Sequence, residues 1–156
     1  MNTNNHNLRV VAIRLGPDPA KTVEVMGEMV AAHFAITPAV GRIGGGWGYA
    51  AEWRLTHVPS GGVVPPLIEP EWPVDQLAYY RILASELESS GLDWSGPDRP
   101  DDMDAVRAAY TRAGDRWRAV EAAADARWAA EQGAEAHIAA ELHATLRAAG
   151  WTEGRA

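Results

Sequence analysis

Residues 101–150 read DDMDAVRAAYTRAGDRWRAVEAAADARWAAEQGAEAHIAAELHATLRAAG. The rest of the chain has to accommodate this nearly unbroken helical stretch. Within it Met103, Val106, Tyr110, Ala113, Trp117, Val120 and Ala124 alternate three and four residues apart, which keeps one seam on one side of a helix, as in coiled coils. Asp101 is placed to cap the start, with Asp102 and Asp104 in the first turn opposing the helix dipole. The expected stop is Gly150 in a left-handed conformation, with Trp151 able to fold back on Leu146.

The seam weakens past Ala124. Reaching Trp128 takes two four-residue steps in succession, a slip toward an eleven-residue spacing, and the next core positions are Glu131 and Glu135. It recovers at Ile138, Leu142 and Leu146. Gly133 lies at the centre of the weak stretch, but a helix-interior glycine costs only about 1 kcal/mol. The expectation is a continuous or mildly bent helix, with an antiparallel helical hairpin as the alternative; Gly114-Asp115 is a weaker candidate break. A straight helix of this length runs roughly 70 Å, against a radius of gyration of about 13 Å for a body of the remaining size. Its apolar positions therefore call for another helix, from this chain or a second one.

Upstream, Leu8 to Leu15 is β-branched and apolar and stops at Gly16-Pro17, which predicts a buried strand. Asp18-Pro19 offers an N-cap followed by proline at the first helical position. With Val23, Met26, Val30 and Phe34 at helical spacing, the expectation is an amphipathic helix over 19–34. Ala39 to Ile43 is a short strand, Gly44-Gly45-Gly46 a turn, and Trp47 to Val58 alternates as a hairpin strand. On that strand Trp47, Tyr49, Ala51, Trp53 and Leu55 share one face. The aromatics are expected to pack under the 19–34 helix, the competing reading being an exposed patch for a partner. The glycine cluster matches neither a dinucleotide fingerprint nor a Walker loop, and it joins strand to strand.

Five prolines and two glycines over Val58 to Pro73 make an extended connector. Pro73 to Ser89 reads as a helix with Asp75 in its first turn, Gly91 at its stop, and an apolar face of Leu77, Tyr80, Leu83, Ala84 and Leu87. Trp94 anchors the following turn-rich link to the core. The fold class is thus α+β. Residues 1–7 form a tail, 8–58 a βαββ unit, 59–73 the connector, 74–100 a helix and link packed on the sheet, 101–151 the long helical segment and 152–156 a second tail.

Composition narrows the chemistry. The chain of 156 residues has no Cys, which excludes disulfides, thiolate catalysis and Cys-ligated zinc. No apolar run approaches the roughly 20 residues that span a bilayer, and the polar N-terminus lacks a secretory pattern; a cytoplasmic location without membrane association is expected. Thirteen Arg against one Lys, amid abundant Ala, suggests a high-GC genome such as an actinobacterium or a phage or mobile element living in one.

The net charge of −7 is uneven, with ten carboxylates between Glu69 and Asp104 offset only by Arg81 and Arg99. That argues against a phosphate-binding surface there. Arg107, Arg112, Arg116 and Arg118 are the one basic concentration, and the preceding acidic run offers them partners within the chain, so nucleic acid is not expected. His33 has no second ligand at metal spacing. His137 and Glu141 form an ordinary helix pair, with His143 on another face. No cofactor, metal or catalytic residue is indicated.

The favoured function is a non-enzymatic interaction or assembly protein, pairing with itself as a homo-oligomer or with a protein partner through Met103, Val106, Tyr110, Trp117, Val120 and Trp128. Two alternatives remain. One is an acidic mimic or inhibitor of a basic partner; the other is a small enzyme with a pocket beside Tyr49, Glu52 and Trp53.

Overall fold

The computed structural model of the chain describes residues 7–18 and 20–149. It is α+β: five strands, β1 (Leu8–Arg14), β2 (Thr22–Met29), β3 (Phe34–Ile43), β4 (Gly46–His57) and β5 (Gly62–Val64), precede helices α1 (Pro73–Glu88) and α2 (Met103–Ala148). The strands form one antiparallel sheet in sequence order. Two compact units result, Met1–Trp117 and Arg118–Ala156, and α2 runs through both.

The helix expected over 19–34 is a strand instead. Val23, Met26, Val30 and Phe34 fit a helical period, but the stretch Thr22–Met29 also carries a period of two. Val25 and Gly27 point inward while Thr22, Glu24 and Met26 face solvent. Two β-branched valines in close succession favour the extended chain. The supposed N-cap is a hairpin turn: Asp18 Oδ1 accepts the Ala20 N–H at 3.0 Å, and Leu15 N–H bonds Lys21 O at 2.7 Å. Pro19 lies outside the described residues, as do Gly150 and Trp151 with the proposed helix stop. The βαββ unit is therefore an all-β meander.

The meander curls back on itself. Arg14 N–H donates to Gly61 O at 2.8 Å, joining β1 to the turn that follows β4. Gly61 has φ +64°, and a Cβ there would lie 2.7 Å from Ala12 O, so the closure needs a residue without a side chain. Gly27 serves the curl differently, since its absent Cβ leaves room for Val11 and Thr37 methyls that a substituent would meet at 3.0 Å. Val11, Ile13, Val25 and Ala35 form a small core on one side of the sheet. The larger core lies between sheet and helices, where Phe34, Ile36 and Leu55 meet Tyr79, Leu83 and Leu87 of α1 and Val106, Ala109, Tyr110, Ala113 and Trp117 of α2.

Gly44 and Gly45, at φ +58° and +87°, turn the β3–β4 hairpin as its sequence requires. The Pro-rich connector contains one short strand, β5, paired to Leu55–His57. Proline begins α1, and Asp75 occupies its first turn. The cap of α2 is Asp102 rather than Asp101, its Oδ1 accepting from Asp104 and Ala105 N–H at 3.1 and 3.0 Å. Gly133 leaves α2 continuous.

Replacing Gly61 by Ala should destabilise the first unit by roughly 2–4 kcal/mol, combining left-handed backbone strain with steric overlap. Denaturant unfolding followed by tryptophan fluorescence measures this, and Gly16→Ala, with φ +85° but open space around it, should cost less.

Candidate functional site

Three features of the described residues merit a functional reading: the exposed remainder of the α2 seam, the aromatic hairpin, and a cavity beside His57.

The seam divides at Trp117. Val106, Tyr110, Ala113 and Trp117 are buried in the chain's own core, with Met103 packed against it. Trp117 meets Tyr79 edge-on with ring centroids 6.0 Å apart. Tyr110 is held by a hydrogen bond from its hydroxyl to Pro65 O at 2.9 Å, and burial pushes its pKa up to about 12. These residues are occupied by intrachain packing. Beyond Trp117 every residue from Arg118 to Thr145 is exposed, Val120 by 46% and Trp128 by 64%. Ile138 and Leu142 are exposed as well.

Trp47, Tyr49 and Trp53 are solvent-exposed rather than core, because the helix expected to cover them is a strand of the same sheet. Arg42 lies over one of them, 5.8 Å from the Trp47 ring. The sheet beside this hairpin is narrow, since β2 pairs with β3 only at Ile36 and Ala35 and β5 reaches β4 only at its last three residues. A small recess of about 140 Å³ includes Glu52, Trp53, Arg54 and Tyr80. It falls below the roughly 300–1,000 Å³ usual for small-molecule sites, and Glu52 and Arg54 neutralise each other there at 3.2 Å.

A larger cavity of about 320 Å³ lies in the first unit. Its organiser is His57, whose Nε2–H donates to Trp94 O at 2.8 Å, leaving Nδ1 to face the Ser60 hydroxyl at 2.9 Å. A carbonyl only accepts, so this geometry places a proton on Nε2. Ser60 in turn accepts the Gly62 N–H at 3.1 Å. Trp94 anchors the link as expected: its indole N–H bonds Leu87 O at 2.8 Å, and its ring stands edge-on to Phe34 and His57. Arg14 and Arg99 line the same cavity. Sequence reading missed it because its walls come from five separate segments, and neither His57 nor Ser60 belongs to a spaced motif.

Part of the acidic stretch serves the fold. Glu86, 8% exposed, binds Arg112 at 2.8 Å and Arg116 at 2.7 Å. Glu88 holds His33 through both its Nδ1 and its backbone N–H. Asp102 caps α2, and Asp104 pairs with Arg107. Glu86 and Glu88 are thereby withdrawn from the mimic surface, and Arg107, Arg112 and Arg116 have the intrachain partners anticipated. His137 pairs with Glu141 at 3.3 Å in the open. No cluster of metal-ligating residues occurs among the described residues, and no helix there is long and apolar enough to cross a membrane. Comparison with protein-family models, with curated proteins and with solved structures finds no match to this chain.

Hydrogen bonds from Arg116 and Arg112 hold the Glu86 carboxyl below its ordinary value of 4.5. The unfolded chain therefore takes up this proton first as pH falls. The stabilisation is complete above the unfolded value and is lost as pH drops through the lower folded one. Glu86→Gln should cost about 1–3 kcal/mol at neutral pH and flatten the stability profile in the acid range, measured by Tm from pH 7 downward.

Proposed function

We propose that the protein is a non-enzymatic assembly module that pairs α2, beyond Trp117, with a helix of a protein partner. The observation carrying this reading is the exposed stripe itself. At about 100° per residue, Val120, Ala124, Trp128, Ile138, Leu142 and Leu146 all fall within an arc of about 80°. Burying exposed Val, Trp, Ile and Leu side chains contributes about 1.5–3 kcal/mol each for the aliphatic members, more area still for the indole. A lone helix in water gains none of this, and most helical stability in proteins comes from packing such a face.

Glu131 and Glu135 lie in the middle of the same arc, between Trp128 and Ile138. Their charges favour a partner stripe that is apolar at its ends and carries Lys or Arg at its centre. A second copy is the competing occupant. Antiparallel pairing would set Val120 against Leu146, Ala124 against Leu142 and Trp128 against Ile138, all in register. It would also bring Glu131 of each copy against Glu135 of the other, a like-charge contact that opposes self-pairing.

The test is mass in solution by light scattering for wild type, for Glu131→Lys/Glu135→Lys, for their mixture, and for Trp128→Glu. The expected result is that the mixture forms a heterodimer far more readily than either component alone, and that Trp128→Glu in the wild-type partner abolishes it. A wild-type dimer disrupted by Trp128→Glu would replace the partner helix by a second copy. If every sample stays monomeric at high concentration, the pairing role is wrong. Trp117→Glu is unsuitable here, because Trp117 is 3% exposed in the first unit's core.

A further inference from the structure

We propose that the cavity beside His57 binds a small organic anion, one carboxylate or phosphate group carried on an apolar body. Among the described residues, Arg14 Nε is buried with no hydrogen-bond partner, and it belongs to a cationic side chain on the wall of this cavity. A buried donor left without an acceptor is costly, and no carboxylate among the described residues supplies one. Asp98 also lines the cavity but forms no ion pair with Arg14 or Arg99.

Of the other polar side chains of the wall, Asp98 is without an ion pair among the described residues, and three are satisfied internally. His57 is bonded through both ring nitrogens, Ser60 accepts from Gly62, and the Tyr110 hydroxyl is engaged by Pro65 O. What the cavity offers a ligand is therefore two guanidinium groups, the Asp98 carboxylate and an apolar surface that includes Val64, Pro65, Leu87 and Val106. Two arginines against one aspartate leave the wall net cationic, which favours an anion over a cation. An anion with an apolar body uses the arginines and the apolar surface, the guanidinium fork taking two oxygens of a planar or tetrahedral anion. At about 320 Å³ the space is at the small end of the range for such sites. The chain's net charge of −7 makes two arginines that have no carboxylate partner among the described residues the more notable on one cavity wall, since acidic residues are plentiful elsewhere in the sequence.

The probes are benzoate, its neutral counterpart benzamide, and inorganic phosphate, titrated into the full chain and read from backbone and indole N–H resonances. Benzoate should shift the Gly62 amide and the Trp94 indole signal saturably, with benzamide at least tenfold weaker, as loss of a charge-assisted contact implies. Arg14→Gln should weaken benzoate by a similar factor. Arg99→Gln, on an exposed side chain, should weaken it severalfold without touching the fold, so a folding defect in the first variant does not leave the site undecided. Phosphate shifting the same signals alongside benzoate shows that the arginines accept either anion. Benzamide binding as tightly as benzoate, no saturable benzoate response, or benzoate binding unaltered by Arg99→Gln and by a folded Arg14→Gln each overturns the assignment.

Discussion

The imidazole of His57 is the joint on which the first unit depends. It ends β4, donates to the backbone of the α1–α2 link at Trp94, and faces the turn that carries Ser60 and Gly61. Trp94 passes the connection on to the C-terminal turn of α1 through Leu87 O. Sheet, turn and link are thus fixed by three neighbouring hydrogen bonds and the ring contacts of Phe34, His57 and Trp94. In a low-dielectric interior such bonds reinforce each other, and loss of one leaves buried groups unpaired. The same joint holds open the cavity wall, so architecture and candidate binding chemistry share their supports.

A second constraint acts on α2. Up to Trp117 the helix completes the core against Tyr79, Leu83 and Leu87. After Trp117 its side chains face solvent while the seam continues in the sequence. One periodic pattern thus serves two purposes, and the division falls where the buried positions stop rather than at either glycine.

The helices were legible in the sequence because their signals agree: proline and Asp75 at the start of α1, carboxylates before α2, apolar residues at helical spacing throughout. The β3–β4 hairpin was legible for the same reason, with Gly44-Gly45 between alternating runs. Residues 22–29 misled because Val23, Met26 and Val30 satisfy a helical period while Val23, Val25 and Gly27 satisfy a strand period. Only the neighbours of Gly27, Val11 and Thr37, decide between them, and they are distant in sequence. The exposure of Trp47, Tyr49 and Trp53 follows from that one reversal. The cavity was beyond reach from sequence, since Arg14, His57, Trp94 and Arg99 converge only once the sheet has curled and Gly61 has met β1.

The division of α2 at Trp117 is the central claim, and native-state amide hydrogen exchange on the isolated chain at low concentration tests it most directly. Amides of α2 up to Trp117 should exchange only through opening of the first unit's core, with protection close to that of β3 and α1. Those beyond it, exposed from Arg118 to Thr145, should exchange through local opening with protection lower by orders of magnitude. Equal protection on both sides of Trp117 in the monomer would contradict the account.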